Sequence, residues 1–490
     1  METPGASEPA ARQPVIGLEV HAQLSTASKM FCACPTAVGA SPNTQTCPTC
    51  LGLPGALPVV NERAVDLGVL VALALGCTVA GRSRFARKNY FYPDLPKGYQ
   101  ITQYDEPLAS GGLLSWPAGS GVHDVSIVRV HLEEDAGKSF HTGFEDSASS
   151  AYIDFNRSGV PLIEIVTGPD LASPADAAEC MRRLRAILVA VGASTAVMEE
   201  GGLRCDANVS LRRADGSHGT RVEIKNLNSF RALQRALEHE IARQSRILEA
   251  GGTVAVETRL WDEGTGRTVA MRTKEESEDY RYFPEPDLPP LALPPERIAR
   301  LRESLPELPE ARRLRLSSRY GLNDEDAAAL AATPSVASFF EAVASACSDP
   351  AAACVWIRGE LARRLSETGL ELDTLTLAPA DLGRLIQMVS AGALSASAAK
   401  SILSRMVETG EGPDAIASAE GLLQESDADS LRTLVHDTLA SHPEQVRQYR
   451  RGKREVAGFL VGLVMKRSHG RANPAIVARL VRARLDEPEL

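Results

Sequence analysis

A carboxylate and an imidazole stand two residues apart near the start of the chain, in the segment 15–24. Glu19 and His21 alternate with the apolar residues Leu18 and Val20, and this period of two predicts a β-strand with one buried and one polar face. Both polar side chains are ligands for a hard divalent metal such as Mg²⁺ or Mn²⁺. The segment therefore predicts a metal site on the polar face of a sheet.

The same alternation recurs along the first half of the chain and adds further acids to such a face. The segments concerned are residues 128–135, 163–165, 203–212 and 221–225. Acids gathered on one sheet face repel each other unless a cation or basic side chains offset their charge. The alternative is the ordinary solvated face of an antiparallel sheet. Glu133 and Glu134 are adjacent, so both serve one site only if a bulge interrupts the strand.

Basic residues accompany these acids and indicate which chemistry the face performs. Arg204, Arg221 and Lys225 lie on the predicted strands, and Lys88 lies in a loop. Metal, acids and bases together suit nucleotide phosphates, because phosphoryl transfer needs positioning and cations more than a protein nucleophile. Ala136-Gly137-Lys138-Ser139 lacks the leading glycine of a P-loop, and the chain has no G-x-S-x-G or H-E-x-x-H motif.

Aromatic and basic residues are interleaved in the loop 88–104, which holds four of the nine tyrosines of the chain. Such a loop could stack an unpaired base or a nucleotide end. A protein–protein contact or a packed loop is the equally open alternative.

Four cysteines form the pattern C-x-C-x12-C-x2-C, namely Cys32, Cys34, Cys47 and Cys50. Two close pairs joined by a turn-rich loop have the spacing of a tetrahedral zinc site, and four thiolates leave no open position for catalysis. We therefore predict a structural Zn²⁺ site in an insert at 32–50. Unligated, partly buried thiols are the alternative.

Composition describes a globular protein of 490 residues with a net charge of −10, which as a whole does not favour nucleic-acid binding. The segment 447–484 differs, because it holds eleven Lys or Arg and one acid, Glu455. This asymmetry predicts an anionic partner for that end, with a solvated helical face as the alternative. No segment is predicted to span a membrane. Residues 1–14 are predicted to be disordered and lack a signal-peptide core, which favours a cytoplasmic location.

Proline- and glycine-rich breaks divide the chain into three parts. Helices are predicted from Asn61 to Gly76, from Ser173 to Gly192 and from 228 or 229 to 251, each with a capping residue at its start. The strand pattern ends in a proline-rich linker at 284–295. Later residues are helical in pattern, with a softer break at 410–413. We predict an α+β domain over residues 15–292, a helical domain over 293–409 and a basic helical tail over 410–490.

Taken together, these motifs resemble GatB of the GatCAB complex, the tRNA-dependent aspartyl/glutamyl amidotransferase. The resemblance covers nearly the whole chain. The matching motifs are VIGLEVH at 15–21, CLGLPG at 50–55, RKNYFYPD at 87–94, HLEEDAGK at 131–138, LRCDAN at 203–208, KNLNS at 225–229, DYRYFPEPD at 279–287, GLVMK at 462–466 and GRANP at 470–474.

The resemblance implies a fold and a reaction. The family's first domain is a cradle with an antiparallel sheet, related to glutamine synthetase and the guanidino kinases, and all-α helical and tail domains follow. The family uses ATP to activate the side-chain carboxylate of Glu on mischarged tRNA(Gln), or of Asp on tRNA(Asn). Ammonia from the amidase (glutaminase) partner then replaces phosphate, in a heterotrimer completed by a small third protein, and the tail binds tRNA.

The resemblance also implies roles for individual residues. The Mg²⁺ (or Mn²⁺) ligands are expected to be Glu19, His21, Glu133, Glu134 and Asp206. The catalytic residues are expected to be Glu133, Glu134, Lys88 and Lys225, with Lys88 resembling a polar residue at the exit of the ammonia tunnel. The residues expected to bind ATP are Arg204, Asn208, Arg221, Glu223, Asn226, Asn228 and Ser229.

Two other functions fit the residues less well. One is an RNA-binding adaptor stabilised by zinc, in which the acidic face is ordinary solvated surface. Metal-dependent binding of ATP would be observed for the amidotransferase subunit and not for such an adaptor. A free-standing ligase for a free amino acid would have no use for the basic tail.

Overall fold

Alternating strands of the first half of the chain build one nine-stranded sheet in the computed structural model. The structure describes residues 12–118, 121–140, 149–198, 200–213, 215–273, 280–370, 372–424, 428–468 and 472–487. The predicted disorder of residues 1–14 lies outside the described residues up to residue 11, and it is wrong for Pro14, which already belongs to the first strand. The chain folds as two compact units, Met1–Pro309 and Glu310–Leu490.

The first unit contains all the strands that the structure describes. They are β1 (Pro14–Gln23), β2 (Thr78–Val79), β3 (Arg82–Ser83), β4 (Phe85–Asn89), β5 (Tyr99–Gln103), β6 (Ala109–Ala118), β7 (Gly121–Glu134), β8 (Lys138–Phe140), β9 (Tyr152–Asp154), β10 (Pro161–Thr167), β11 (Leu203–Leu211), β12 (Val222–Leu227), β13 (Glu257–Asp262), β14 (Arg267–Thr273), β15 (Phe283–Pro284) and β16 (Leu291–Ala292). Its helices are α1 (Glu62–Ala74), α2 (Pro174–Ala190), α3 (Phe230–Glu249) and α4 (Pro295–Glu303).

The main sheet has the strand order β14-β13-β12-β11-β1-β10-β7-β6-β2. Most neighbouring pairs are antiparallel, but β12 and β13 run parallel. The sheet, expected to be antiparallel, is therefore mixed, because α3 returns the chain across the sheet between these two strands, as parallel pairing requires. Smaller sheets pair β15-β4-β5, β16-β3 and β8-β9.

One face of the main sheet carries the core. Ile16, Leu18 and Val20 of β1 are at most 1% exposed, as the alternation predicted. Helices α1, α2 and α3 pack on strands of this sheet, and their apolar side chains join the same cluster. The opposite face of β1 is left free for Glu19 and His21.

The three helices predicted from capping residues are confirmed. Asn61 accepts hydrogen bonds from the first turn of α1, and Ser173 accepts one from Asp176 N in α2. Ser229 caps α3 in the same way. Each cap satisfies backbone N–H groups that have no partner within the helix.

The second unit is helical throughout its described residues. The helices are α5 (Pro309–Tyr320), α6 (Asp324–Leu330), α7 (Pro334–Cys347), α8 (Pro350–Val355), α9 (Ala362–Thr368), α10 (Pro379–Ser390), α11 (Ala396–Thr409), α12 (Pro413–Ala419), α13 (Ala428–Ala440), α14 (Pro443–Arg450), α15 (Val456–Arg467) and α16 (Pro474–Asp486), with a π-helical turn at Trp356–Leu361 and a 3₁₀ turn at Leu372–Thr374. Two apolar cores lie within it, one built from helices up to α12 and one from α13 to α16.

Among the described helices, none alone has the length and apolar character needed to cross a bilayer. The pair α6 and α7 meets those two requirements only when taken together, and it is bent by 114° at the break.

Candidate functional site

Four neighbouring strands align polar side chains in one row on the free face of the sheet. His131 of β7 is paired with Glu164 of β10, and Glu164 with His21 of β1. His21 is in turn opposite Arg204 of β11. The register of the sheet thus places two imidazoles and a carboxylate side by side.

A second row lies next to the first. Glu19 of β1 is opposite Asp206 of β11, and Asn208 Nδ2 donates to Glu19 Oε1 at 2.9 Å. Lys225 Nζ of β12 lies 2.7 Å from Asp206 Oδ2 and 3.1 Å from Glu223 Oε1. A lysine therefore partly offsets the acids of this row.

Glu133 and Glu164 converge on His21. His21 Nε2 lies 3.2 Å from Glu164 Oε2 and 3.6 Å from Glu133 Oε1. His131 Nε2 lies 3.0 Å from Glu164 Oε2, and Thr102 Oγ1 donates to Glu133 Oε2 at 3.1 Å. One donor atom from each of His21, Glu133 and Glu164 fits within a 4.8 Å span. This is a ligand set that a divalent cation can bridge.

The histidines hold these carboxylates in their charged form. Burial alone would raise the pKa of Glu133, but the hydrogen bond with His131 and the charge of His21 outweigh it and lower that pKa. The same two histidines keep the pKa of Glu164 well below its usual range in spite of burial. Burial would depress the pKa of His131, yet Glu164 and Glu133 raise it to about 9. Both carboxylates are therefore ionised at neutral pH.

A cavity of about 530 Å³ opens above this cluster. Most of the predicted metal, catalytic and phosphate-binding residues line it, namely Glu19, His21, Lys88, Glu133, Arg204, Asp206, Glu223 and Lys225. A neighbouring cavity of about 270 Å³ is lined by Glu19, Asn208 and Arg221. Because Glu19 lines both, the two cavities adjoin.

Glu134 is directed away from the cluster. Its carboxylate forms an ion pair with Lys97 and accepts a hydrogen bond from Ile101 N at 2.9 Å. Together with Cys50 it lines a separate cavity of about 210 Å³. As the period of two requires, the side chains of the adjacent residues Glu133 and Glu134 point to opposite faces of β7. Glu134 therefore does not belong to the cluster of His21, Glu133 and Glu164 that could bind a metal.

The structure does not bring Asn226, Asn228 and Ser229 to the cavities. Asn226 has a positive φ of 67° and donates from Nδ2 to Trp261 O at 2.9 Å. Asn228 donates to the Asn226 side chain, and Ser229 is the cap of α3. These contacts shape the turn between β12 and α3.

Aromatic side chains form one wall of the larger cavity. Tyr104 and Tyr282 are stacked with their ring centres 4.0 Å apart, and Tyr280 packs edge-on against Tyr90. Lys88 Nζ lies 4.7 Å from the centre of the Tyr280 ring. Tyr90 and Tyr104 of this wall come from the segment 88–104, and the other two tyrosines lie nearly 200 residues later. The segment was expected to be a loop, but Lys88 lies in β4 and residues 99–103 form β5, because the two strands pair as a hairpin.

The four cysteines come together as predicted. One sulfur from each of Cys32, Cys34, Cys47 and Cys50 lies within 4.8 Å of the others. Tetrahedral zinc with Zn–S bonds of about 2.3 Å separates its sulfurs by about 3.8 Å, so the cluster fits Zn²⁺ after small movements. A hydrogen bond from Cys32 lowers the pKa of Cys50 to about 4, and the charge of Lys29 adds to this effect. At least one ligand is therefore poised as a thiolate.

Some residues of the cluster were not among the predicted site residues. Glu164 follows the alternation between Ile163 and Ile165, and that pattern could have added it to the metal ligands. His131 stands two residues before Glu133, on the same strand face. Tyr280 and Tyr282 carry no local signal that places them beside β4 and β5.

The chain is similar to one known family over most of its length. Residues 14–299 match the GatB/GatE catalytic domain family, and residues 338–485 match the GatB domain family. Several similar proteins carry the name of the B subunit of aspartyl/glutamyl-tRNA(Asn/Gln) amidotransferase. That of Prosthecochloris aestuarii is 48% identical over 96% of this chain and 98% of its own length. Those of Myxococcus xanthus and Moorella thermoacetica are 49% and 50% identical over 97% and 96% of this chain, and over 99% of their own lengths.

Proposed function

The chain belongs to the GatB family, and on that basis we propose that it is the tRNA-amidating component of a glutamine-hydrolysing ligase. Its substrates would be Glu-tRNA(Gln) and Asp-tRNA(Asn), and its products Gln-tRNA(Gln) and Asn-tRNA(Asn). The observation that carries the proposal is the row of ionised carboxylates and imidazoles facing a cavity that Lys88, Arg204 and Lys225 also line.

The proposed reaction has two steps. In the first, a side-chain carboxylate oxygen attacks the γ-phosphorus of ATP, and ADP leaves. In the second, ammonia attacks the carbonyl carbon of the acyl phosphate, the C–O bond to phosphate breaks, and the nitrogen loses a proton. Activation is required because a carboxylate offers ammonia only an oxide leaving group. The cavity protects the acyl phosphate by limiting access of water.

We assign the metal to the residues that line the larger cavity. Glu19, His21, Glu133 and Asp206 are the proposed ligands, and Glu164 joins them because its carboxylate lies 3.2 Å from His21. Bound Mg²⁺ or Mn²⁺ would neutralise charge on the phosphate oxygens of ATP during transfer. Glu134 is left out of this set, since it is paired with Lys97.

Basic side chains of the same face are the proposed partners of the nucleotide. Lys225, Arg204 and Arg221 supply positive charge to phosphate oxygens, and Asn208 and Glu223 supply hydrogen bonds. Asp206 and Glu223 hold Lys225 between them, so its ammonium group is oriented before substrate binds. Lys88, beside the tyrosine wall, is the proposed guide for incoming ammonia.

The remaining features complete the assembly. We propose that residues 15–292 form a cradle like that of glutamine synthetase, that residues 293–409 form a helical domain, and that residues 410–490 form a tail that binds tRNA. Ammonia would come from an amidase (glutaminase) partner, in a cytoplasmic GatCAB heterotrimer with a small third protein. Zinc bound by the four cysteines would staple the insert at 32–50.

The proposal is tested by co-expressing the chain with the amidase and the small third protein and assaying amide formation. With ATP, Mg²⁺ and glutamine, we expect Glu-tRNA(Gln) or Asp-tRNA(Asn) to be amidated and free glutamate to be left unchanged. ATP consumption with free glutamate but not with mischarged tRNA would overturn the proposal. Metal-dependent ATP binding without amide formation on either tRNA would also contradict it.

A further inference from the structure

One lysine beside the four cysteines has an unusual environment. Lys29 is fully buried, and its ammonium group donates to Gln45 O at 2.7 Å and to Phe155 O at 3.3 Å. Its third contact is Cys50 Sγ at 3.6 Å. The side chain therefore joins the cysteine insert to the loop that precedes β10.

The charge of Lys29 lacks an ordinary counter-ion. Among the described residues, its hydrogen-bond acceptors are two backbone carbonyls and a sulfur, and no carboxylate. The neighbouring buried lysine, Lys97, shows the usual solution, since it is paired with Glu134. A buried ammonium without an anion is costly, so the cysteine sulfur is the group that has to supply the compensating charge.

A four-thiolate zinc centre has the complementary need. Four thiolates around one Zn²⁺ carry a net charge of −2, and the groups around such a centre adjust its metal affinity. Lys29 supplies one positive charge at hydrogen-bonding distance from one of the four sulfurs. The positive charge of Lys29 and the net negative charge of the zinc centre would thus compensate each other.

We propose that Lys29 is the charge-compensating partner of the four-cysteine centre, donating a hydrogen bond to the Cys50 thiolate and raising zinc affinity. The inference rests on the zinc site put forward under the proposed function. It assigns Lys29 a role in holding the metal and none in amide formation.

The proposal makes different predictions for the metal-free and zinc-bound proteins. Without zinc, Lys29 faces at most one charged sulfur, that of Cys50, so Lys29→Met changes the melting temperature less than it does in the zinc-bound protein. With zinc bound, the same substitution leaves the centre with excess negative charge, and zinc binding weakens. A lysine that merely tied together the carbonyls of Gln45 and Phe155 would lower the melting temperature of both forms alike.

Zinc affinity of the full-length chain is measured by competition with a chromophoric chelator, for wild type, Lys29→Met and Lys29→Gln. The glutamine variant can still donate to the two carbonyls but has no charge, so it separates the two explanations. We expect both variants to bind zinc at least about tenfold more weakly, the usual effect of removing a partner of a metal ligand. Ser158→Ala is the matched control, because it removes a neutral hydrogen bond to Cys50 O of 3.1 Å.

The outcomes are distinct. Wild-type affinity in Lys29→Gln, or an equal loss in Ser158→Ala, would overturn the role of the charge while leaving the zinc site intact. An equal fall in the melting temperatures of the metal-free and zinc-bound Lys29→Met proteins would also overturn it. A wild-type chain that binds no zinc would overturn both the zinc site and the inference, without bearing on amide formation.

Discussion

Replacing Glu133 by glutamine removes one negative charge from the proposed metal cluster and keeps the size of the side chain. The side chain is 4% exposed, and the amide oxygen of glutamine can still accept the hydrogen bond from Thr102. Two unit charges 4 Å apart interact by about 4 kcal/mol at an effective dielectric constant of 20. At about 1.4 kcal/mol per tenfold change, we expect amide formation to fall about 10²- to 10³-fold.

The assay is ATP- and Mg²⁺-dependent amidation of mischarged tRNA by the assembled complex, with Mn²⁺ binding followed by electron paramagnetic resonance. Affinity for tRNA should remain close to that of wild type. Glu240→Gln is the matched control: this carboxylate of α3 is fully buried but is paired with Arg243 and lies outside the cavity. Glu240→Gln should lower the free energy of unfolding but leave the amidation rate per folded enzyme unchanged. Unchanged amidation and Mn²⁺ binding in Glu133→Gln would refute the metal assignment.

Two further predictions concern stability and tRNA binding. Burial alone would raise the pKa of Asp135, but Arg204 and Arg157 lower it below 3.8. The ionised Asp135 side chain therefore adds to the free energy of unfolding above pH 3.8, and this stabilisation is lost as the pH falls through the lowered pKa. Asp135→Asn should cost about 3 kcal/mol at pH about 7, by urea unfolding, and the difference should shrink towards acid pH. Truncation after Gln424 removes helices α13 to α16, with their apolar core and their basic residues. It leaves intact the other core of the second unit, which includes Ile416 of α12. We expect the truncated chain to bind tRNA more weakly and with a smaller dependence on salt concentration.

Each of these two predictions would be contradicted by one specific result. A stability difference for Asp135→Asn that is constant from neutral to acid pH would show that the ion pairs with Arg204 and Arg157 are not its source. A truncated chain that binds tRNA as tightly as the full chain at every salt concentration would show that α13 to α16 do not bind tRNA.

Much of the local structure follows from the sequence because its causes are local. The alternation around Glu19 and His21 identified β1, and Asn61, Ser173 and Ser229 marked the starts of three helices. The C-x-C and C-x2-C pairs are twelve residues apart, and their four sulfurs come together as that spacing predicted. Period-two reasoning also warned that Glu133 and Glu134 face opposite sides, as the Lys97 ion pair bears out.

What the sequence left open depends on contacts between distant residues. The row from His131 to Arg204 exists only because β7, β10, β1 and β11 are neighbours, and no local pattern fixes that order. Tyr280 reaches the cavity because Asn89 N donates to its carbonyl at 2.9 Å, across nearly 200 residues. Asn226 and Ser229 have residue types suited to phosphate binding, but turn and cap geometry already occupies them.

The central claim is that the amino-acid carboxylate itself receives phosphate from ATP. It is tested most directly by charging tRNA with glutamate labelled with ¹⁸O in its side-chain carboxylate and analysing the inorganic phosphate released during amidation. Attack by the carboxylate predicts one ¹⁸O atom in each phosphate formed per amide. Phosphate free of ¹⁸O, with amide still formed at the normal rate, would contradict the account.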